Sequence, residues 1–155
     1  GAIYVGLPIS FALLIFAQIQ GREWLLLGLL TTFATDTAAY FIGHFVGRHQ
    51  MAPRISPGKS WEGASAGLVS GVVGCLALAS LLNLPITLFV AGFIGMVISV
   101  AAQIGDLAES LLKRAAGAKQ SGSLIPGHGG LLDRLDSISF VLVVLYYLAG
   151  WLVKW

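Results

Sequence analysis

Five long apolar runs constrain this chain more than any other feature, because each approaches the roughly 20 residues that a helix needs to cross a bilayer. They cover about residues 2–17, 24–46, 64–82, 85–105 and 138–153. Only 10% of the residues are charged, against about 25% in soluble domains. The runs predict an all-α fold, a polytopic transmembrane helical bundle of about five spans, in which residues 1–155 form a single transmembrane domain.

Most of the positive charge lies in two long polar segments, residues 47–63 and 106–137, which hold seven of the nine Lys and Arg residues. Two predicted spans separate these segments, so both lie on one face of the membrane. The positive-inside rule makes that face cytoplasmic. The formal net charge of +2 argues against a nucleic-acid binder, and the single cysteine excludes an intrachain disulfide.

Small and aromatic residues predict how the spans pack and where they end. Gly67, Gly71 and Gly74 lie in the third run, where small residues allow helices to approach closely. Trp24, Trp151 and Trp155 lie near the ends of runs, as residues of an aromatic belt at the membrane interface do.

One carboxylate, Asp36, lies in the middle of the second run. A charged side chain in hydrocarbon costs roughly 2.5–3.5 kcal/mol on insertion scales, so Asp36 must face a polar cavity or a partner. Tyr40 and Gly43 follow at helical spacing on the same face. A hydrogen bond between helices is the structural alternative to a ligand site. His44 and His49 flank the end of this run. Either a direct role in a site or a simple position at the membrane interface is compatible with them.

The stretch RISPGKSWEG, residues 54–63, combines turn residues with a lysine and a helix start. Ile55–Gly58 predicts a turn, because proline fixes φ and glycine permits positive φ. Lys59 follows on the loop, Ser60 can cap the next helix, and Glu62 suits its first turn. A lysine at a helix amino terminus suits a phosphate, although a basic loop on anionic headgroups would look similar.

A stripe of polar residues continues from the fourth run. Asp106, then Glu109 or Ser110, then Lys113 recur at steps of three and four, so they share one face of a helix. A surface amphipathic helix would show the same pattern. Asp106 directly follows a long apolar run, which favours a polar cavity over a solvated face.

The stretch PGHGGLLDRLDS, residues 126–137, concentrates charge and glycine. Asp133 and Asp136 share a helix face if the fifth helix begins near residue 131, and two such carboxylates repel each other unless a cation lies between them. Oxygen ligands suit Mg²⁺, which binds through carboxylates and substrate phosphates. His128 and Arg134 could neutralise phosphate oxygens. The stretch therefore predicts a site for a metal ion and a phosphate.

Two segments resemble the signature of the phosphatidate cytidylyltransferases, also called CDP-diacylglycerol synthases. They are DTAAYFIGHFVGRHQMAPRISPGKSWEG, residues 36–63, and SLLKRAAGAKQSGSLIPGHGGLLDRLDS, residues 110–137. The matching positions of the second segment are Ser110, Lys113, Arg114, Lys119, Pro126, His128, Gly129, Gly130, Asp133, Arg134 and Asp136. Gln120 departs from the aspartate usual in the family, and Ser60 replaces a common threonine. Enzymes of the family are longer, so we expect this chain to be the carboxy-terminal catalytic part.

The resemblance implies transfer of CMP from CTP to phosphatidate, with Mg²⁺ as cofactor. It implies that the metal ligands are Asp106, Asp133 and Asp136. It implies that the catalytic residues are Asp133, Asp136, Lys113, Arg134 and His128. It implies that the substrate-binding residues are Asp36, Ser56, Lys59, Lys113, Arg114, Lys119 and His128. CTP, phosphatidate and membrane lipid are the expected partners, and a homodimer is left open. The expected location is the bacterial inner membrane, with the site facing the cytoplasm.

Other functions compete with this hypothesis. A CDP-alcohol phosphotransferase would need an Asp-Gly-x-x-Ala-Arg run, which the sequence lacks. An ion- or proton-coupled transporter could use Asp36 and Asp106 as relay carboxylates. A non-catalytic subunit that binds nucleotide or lipid is kept open by Gln120.

Overall fold

Five helices and one two-stranded antiparallel sheet make up the described part of the chain. The computed structural model describes residues 2–53, 55–115 and 132–153. The elements are α1 (Ala2–Phe16), α2 (Gly21–Val46), β1 (Gln50–Ala52), β2 (Ser56–Ser60), α3 (Trp61–Leu81), α4 (Leu88–Ala115) and α5 (Leu132–Val153). The predicted helical bundle is confirmed, and the β1–β2 hairpin is an addition that helical periodicity could not predict.

The length and surface of the helices suit a membrane. α2, α3 and the Leu88–Leu112 part of α4 are each long and apolar enough to cross a bilayer, whereas the apolar Ser137–Leu152 part of α5 is shorter. Large apolar side chains are exposed along them, among them Phe33 and Phe89. Exposed apolar surface on this scale suits lipid rather than water. Three candidate spans are therefore present, and the full count of about five stays a prediction.

A ridge of glycines on α3 lets α2 approach closely. A methyl group at Gly63 would lie 2.6 Å from the carbonyl oxygen of Ala39, and one at Gly67 would lie 2.8 Å from that of Thr35. Gly71 likewise leaves no room for a methyl group beside the Thr35 side chain. These glycines are four residues apart, so they form one face of the helix.

The predicted packing role of the third-run glycines is thus confirmed at Gly67 and Gly71. Gly74 differs from them, because a methyl group there would make only an ordinary contact, 3.5 Å from Ala34. Close approach of α2 and α3 is concentrated on the half of α3 that adjoins the hairpin.

Buried polar side chains tie α4 to the same pair of helices. The Thr35 and Ser99 hydroxyls lie 3.0 Å apart and join α2 to α4. The Gln103 side-chain amide donates to the carbonyl oxygen of Ala64 at 3.1 Å and joins α4 to α3. Hydrogen bonds and close backbone approach are the interactions that hold helices together where lipid offers no hydrophobic driving force.

The apolar core includes a tryptophan that the sequence placed elsewhere. Trp24 of α2 is 1% exposed and belongs to the core cluster with Leu27 and Leu145. Its prediction as a belt residue is wrong, because its ring packs inward among these side chains rather than outward. Trp151 is 75% exposed, as a belt residue would be, and Trp155 lies outside the described residues.

The hairpin replaces a turn that was predicted over residues 55–58. Pro57 and Gly58 lie inside β2, so this prediction is wrong. The turn comes earlier, where the Ile55 N–H donates to the carbonyl oxygen of Ala52 at 3.1 Å. The antiparallel register shifts within the hairpin, and such an irregularity accommodates proline and glycine in a strand.

The hairpin and the carboxy-terminal end of α4 lie at the same end of the bundle. The Arg114 Nε atom donates to the carbonyl oxygen of Ile55 at 3.2 Å. The described parts of the two long polar segments therefore lie at one end of the bundle, which agrees with their predicted position on one face, and the cytoplasmic location of that face stays a prediction. The helix continues to Ala115, which also confirms that the polar stripe from residue 106 is helical.

Candidate active site

A cavity of about 440 Å³ opens between the hairpin and the helices at this polar end. Four elements supply its polar side chains: Asp36 and Tyr40 of α2, Ser56 and Lys59 of β2, Gln103 and Asp106 of α4, and Ser137 of α5. Four of these were predicted as site residues: Asp36, Ser56, Lys59 and Asp106. Residues that are up to 70 positions apart in sequence are thus brought to one place, and their roles in chemistry stay predictions.

An ion pair lies at the centre of the cavity wall. The Lys59 Nζ atom is 2.6 Å from the Oδ2 atom of Asp106, with 21% of the lysine side chain and 45% of the aspartate side chain exposed. The Nζ atom itself is buried and makes no well-directed hydrogen bond within the described residues. An ammonium group can donate three hydrogen bonds, so Lys59 retains donors for the oxygens of a ligand.

Asp36 faces this pair from α2. The side chain is partly buried, and the charges of Asp106 and Lys59 act on its carboxylate, as does the Ser137 hydroxyl. The carboxylate therefore faces a polar cavity, as its position in an apolar run predicted. Two acidic side chains and one basic side chain thus line this part of the cavity. Such a set attracts a cation before it can accept a phosphate.

A hydrogen bond between two side chains fixes the base of the hairpin to the start of α3. His49 Nδ1 lies 2.6 Å from Glu62 Oε1, and the Trp61 N–H donates to the carbonyl oxygen of His49 at 3.0 Å. The Ser60 hydroxyl accepts a hydrogen bond from the Gly63 N–H, which confirms its predicted role as the helix cap. The position of Lys59 is therefore set by contacts on its carboxy-terminal side.

Arg114 is exposed and lies outside the lining of the cavity. Because its Nε atom bonds the backbone of Ile55, it fastens α4 to the hairpin. A guanidinium group has further N–H donors, so its predicted contact with substrate stays open. One turn earlier, the Ser110 hydroxyl donates to the carbonyl oxygen of Asp106, and Glu109 is buried.

Comparison with known proteins identifies the family to which this chain is related. A family model described as the cytidylyltransferase family matches residues 1–152. The chain belongs to the cytidylyltransferase family.

Curated members of this family are similar along nearly the whole chain. The phosphatidate cytidylyltransferase of Staphylococcus saprophyticus is 40% identical over 142 residues, which is 92% of this chain and 54% of the relative. That of Brucella suis is 42% identical over 151 residues, 94% of this chain and 54% of the relative. That of Bacillus subtilis is 38% identical over 148 residues, 95% of this chain and 55% of the relative. The chain thus spans about half the length of the curated relatives it matches.

Several predicted site residues of this family member have side chains outside the described part of the structure. They are Lys113, Lys119, His128, Asp133, Arg134 and Asp136. The helix that carries the last three begins at Leu132, close to residue 131, where the sequence placed it. Positions 133 and 136 therefore lie at the start of α5, and their roles stay predictions.

The donors in the cavity fit a hard cation. Among the side chains that the structure describes, which leave out those of residues 132–136, no group of three His, Cys, Asp or Glu converges on one point. Asp36, Asp106 and Ser137 nevertheless offer only oxygen atoms, which are the ligands that Mg²⁺ prefers. Two carboxylates suffice where substrate phosphates and water complete the coordination, so the residues present fit Mg²⁺.

Two polar residues of the cavity were not predicted from the sequence. Gln103 lies three residues before Asp106, and Ser137 directly follows Asp136. A lone side-chain amide in an apolar run indicates a polar partner or cavity, and this signal could have identified Gln103. Ser137 is four residues after Asp133, at a spacing that shares a helix face.

Proposed function

We propose that this chain forms the catalytic part of a phosphatidate cytidylyltransferase, which transfers CMP from CTP to phosphatidate and releases pyrophosphate. The carrying observation is the cavity that joins Lys59 to Asp36 and Asp106 at the polar end of an apolar bundle. The charged headgroup of a phosphate-bearing lipid can bind in such a cavity while its acyl chains lie beside the apolar helices. The curated relatives named phosphatidate cytidylyltransferase support the same activity.

The proposed reaction is a displacement at phosphorus. An oxygen of the phosphatidate phosphate forms a bond to the α-phosphorus of CTP. The bond from that phosphorus to the oxygen bridging the β-phosphate breaks, and pyrophosphate leaves with the electron pair. The nucleophile is already an ionised phosphate, so no strong general base is needed. Catalysis then depends on positioning and on neutralising charge.

The position of Lys59 suits it to neutralising charge on a phosphate. Its buried Nζ atom lies in the cavity wall with donors to spare, where a charge-assisted hydrogen bond to a phosphate oxygen is strong. Asp106 holds the ammonium group at 2.6 Å, and Asp36 lines the same cavity. Predicted cationic residues would add to Lys59: Lys113, Arg114, Lys119, His128 and Arg134.

The carboxylates would hold Mg²⁺ in the working enzyme. We assign Asp106 together with Asp133 and Asp136 as its ligands. Ser137 lines the cavity, and position 133 is one helical turn before it on the same face of α5. When bound, the ion would neutralise the triphosphate and make its α-phosphorus more electrophilic.

The location follows from the distribution of charge. We propose that the chain crosses a bacterial inner membrane about five times and that the cavity opens to the cytoplasm. Seven of the nine Lys and Arg residues lie in the two long polar segments, and the described parts of these segments adjoin the cavity. The positive-inside rule places such segments on the cytoplasmic side. A homodimer remains open.

The proposal is tested by following the nucleotide into lipid. Purified protein in detergent micelles is incubated with α-labelled CTP, phosphatidate and Mg²⁺, and the lipids are then extracted. We expect label in the lipid phase together with one equivalent of pyrophosphate. Lys59→Gln should lower turnover by about 10²–10³-fold, as the loss of one transition-state donor does. Arg22→Gln, which removes an exposed charge at the other end of α2, serves as the matched control.

The competing functions predict different results. A transporter would show ion flux in liposomes and no labelled lipid, and a non-catalytic subunit would bind CTP without consuming it. Either outcome with the wild-type protein would overturn the proposed activity.

A further inference from the structure

A second pocket of about 260 Å³ lies beside the hairpin strand that carries Lys59. Its lining includes His44 and Arg48 from the end of α2 and Gln50 from β1. Within the described residues, no carboxylate lines this pocket, whereas Asp36 and Asp106 line the first cavity. The two pockets therefore differ in charge, and only the second suits an anion without a bound cation.

The two pockets share a wall of β2. Gly58, Lys59 and Ser60 line both. A methyl group on Gly58 would meet no atom of the described residues within 4 Å, and Gly58 does not have a left-handed backbone. At the border between the two pockets, open space within the described part of the chain therefore lies where a side chain would stand.

An aromatic surface of α2 reaches the second pocket at His44 and the first cavity at Tyr40. Tyr40 stacks on His44, with ring centroids 6.1 Å apart, and Phe41 stacks on Phe45 at 6.5 Å. Tyr40, Phe41 and Phe45 are all more than half exposed. Exposed aromatic rings at the end of an apolar helix lie at the level of lipid headgroups. A lipid whose acyl chains lie along α2 would thus bring its headgroup to this pocket.

Resting on the proposed function, we propose that this second pocket binds the phosphate headgroup of the lipid substrate, while the first cavity binds the nucleotide triphosphate. Arg48 can bind a phosphate through two parallel N–H groups, and the His44 ring can donate a further hydrogen bond. The two phosphates would meet at the border of the pockets, beside the bare backbone of Gly58, where the attacking oxygen and the α-phosphorus need to come within about 3–3.5 Å of each other. The ligand chemistry is that of a phosphomonoester, and the occupant is the lipid rather than free phosphate.

The assignment is tested by separating the kinetics of the two substrates in mixed micelles. Arg48→Gln should raise the KM for the mole fraction of phosphatidate roughly 10- to 100-fold, which corresponds to loss of a hydrogen bond between charged groups. The KM for CTP should not change. Arg48→Lys keeps the charge and loses the bidentate geometry, so its KM for phosphatidate should lie between those of Arg48→Gln and the wild type. Arg22→Gln should leave both constants unchanged.

A substitution at the shared wall provides an independent measurement. Gly58→Val adds a side chain at a position where a Cβ atom would meet no described neighbour within 4 Å, in a strand that favours β-branched residues. We expect an unchanged melting temperature and unchanged KM values, with kcat lowered at least tenfold because the two phosphates are held apart. An unchanged kcat would overturn the proposed meeting point at Gly58.

The outcomes distinguish this inference from the activity itself. If wild-type protein makes no labelled lipid, the proposed function fails. If the wild-type protein does make labelled lipid, two results with Arg48→Gln would overturn only the pocket assignment. One is that neither KM changes, and the other is that only the KM for CTP changes. Inorganic phosphate should compete with phosphatidate only weakly. An equal affinity for inorganic phosphate in the wild-type protein would overturn the lipid as the occupant.

Discussion

The contrast between Gly67 and Gly74 on α3 gives a sharp test of how the bundle is held together. A methyl group at Gly67 would lie 2.8 Å from the Thr35 carbonyl oxygen, and one at Gly74 would lie 3.5 Å from Ala34. Ordinary contacts between such atoms begin at about 3.5 Å. Gly67→Ala therefore requires α2 and α3 to separate locally by about 0.7 Å (3.5 − 2.8), against a backbone atom that cannot rotate away.

The magnitude follows from two opposing effects. Overpacking of this kind costs about 1–3 kcal/mol, whereas alanine is favoured over glycine inside a helix by up to about 1 kcal/mol. Only the second effect operates in Gly74→Ala, so that variant should be at least as stable as the wild type. Because both variants gain the same helix preference, the difference between their free energies of unfolding isolates the packing cost. We expect Gly67→Ala to be the less stable by about 1–3 kcal/mol.

The measurement is reversible unfolding in mixed micelles, followed by circular dichroism as the fraction of denaturing detergent rises. Turnover of CTP is measured on the same samples. Asp36 follows Thr35 directly in α2, so separation of the helices moves its carboxylate away from Lys59, and Gly67→Ala should also lose activity. Equal stability of the two variants, or a less stable Gly74→Ala, would refute the close approach of α2 and α3 described above.

Three further predictions concern the site itself. Asp106→Asn and Lys59→Gln should each reduce turnover by roughly 10²-fold or more, yet the double variant should be much less impaired than the product of the single effects; strict additivity would show that the two side chains act separately. Asp133→Asn should abolish Mg²⁺-dependent formation of CDP-diacylglycerol, and undiminished turnover across a Mg²⁺ titration would exclude position 133 as a ligand. Gln120→Asp should raise turnover if the aspartate usual in the family helps to place the nucleotide, and an unchanged rate would make this position peripheral.

The helices and much of the cavity could be predicted because their signals are local. Apolar runs of sufficient length define α2, α3 and most of α4, and a serine before a glycine-rich helix start marks the cap at Ser60. The cost of an uncompensated charge in an apolar run pointed to Asp36 and Asp106. That they meet follows from alternation of the spans, which brings the polar segments to one end.

The parts that were wrong depend on non-local contacts. Pro57 and Gly58 are turn residues by local preference, but pairing with β1 draws them into a strand. Trp24 has the sequence position of a belt residue, and only the packing of α1, α2 and α5 decides that its ring faces the core. Ser137 is an ordinary residue in sequence, and its place in the cavity depends on how α5 lies against α4.

The hairpin that carries Lys59 is fastened to α3 through His49 and Glu62 and to α4 through Arg114. The conformational entropy of this loop is therefore lost when the protein folds and not when a nucleotide binds. A cation held still in this way needs little reorganisation as charge develops on a phosphate, and preorganisation of this kind is a major source of enzymatic rate enhancement. The contacts of the hairpin with two helices would thus contribute to the rate of the proposed reaction, because they hold one ammonium group in place.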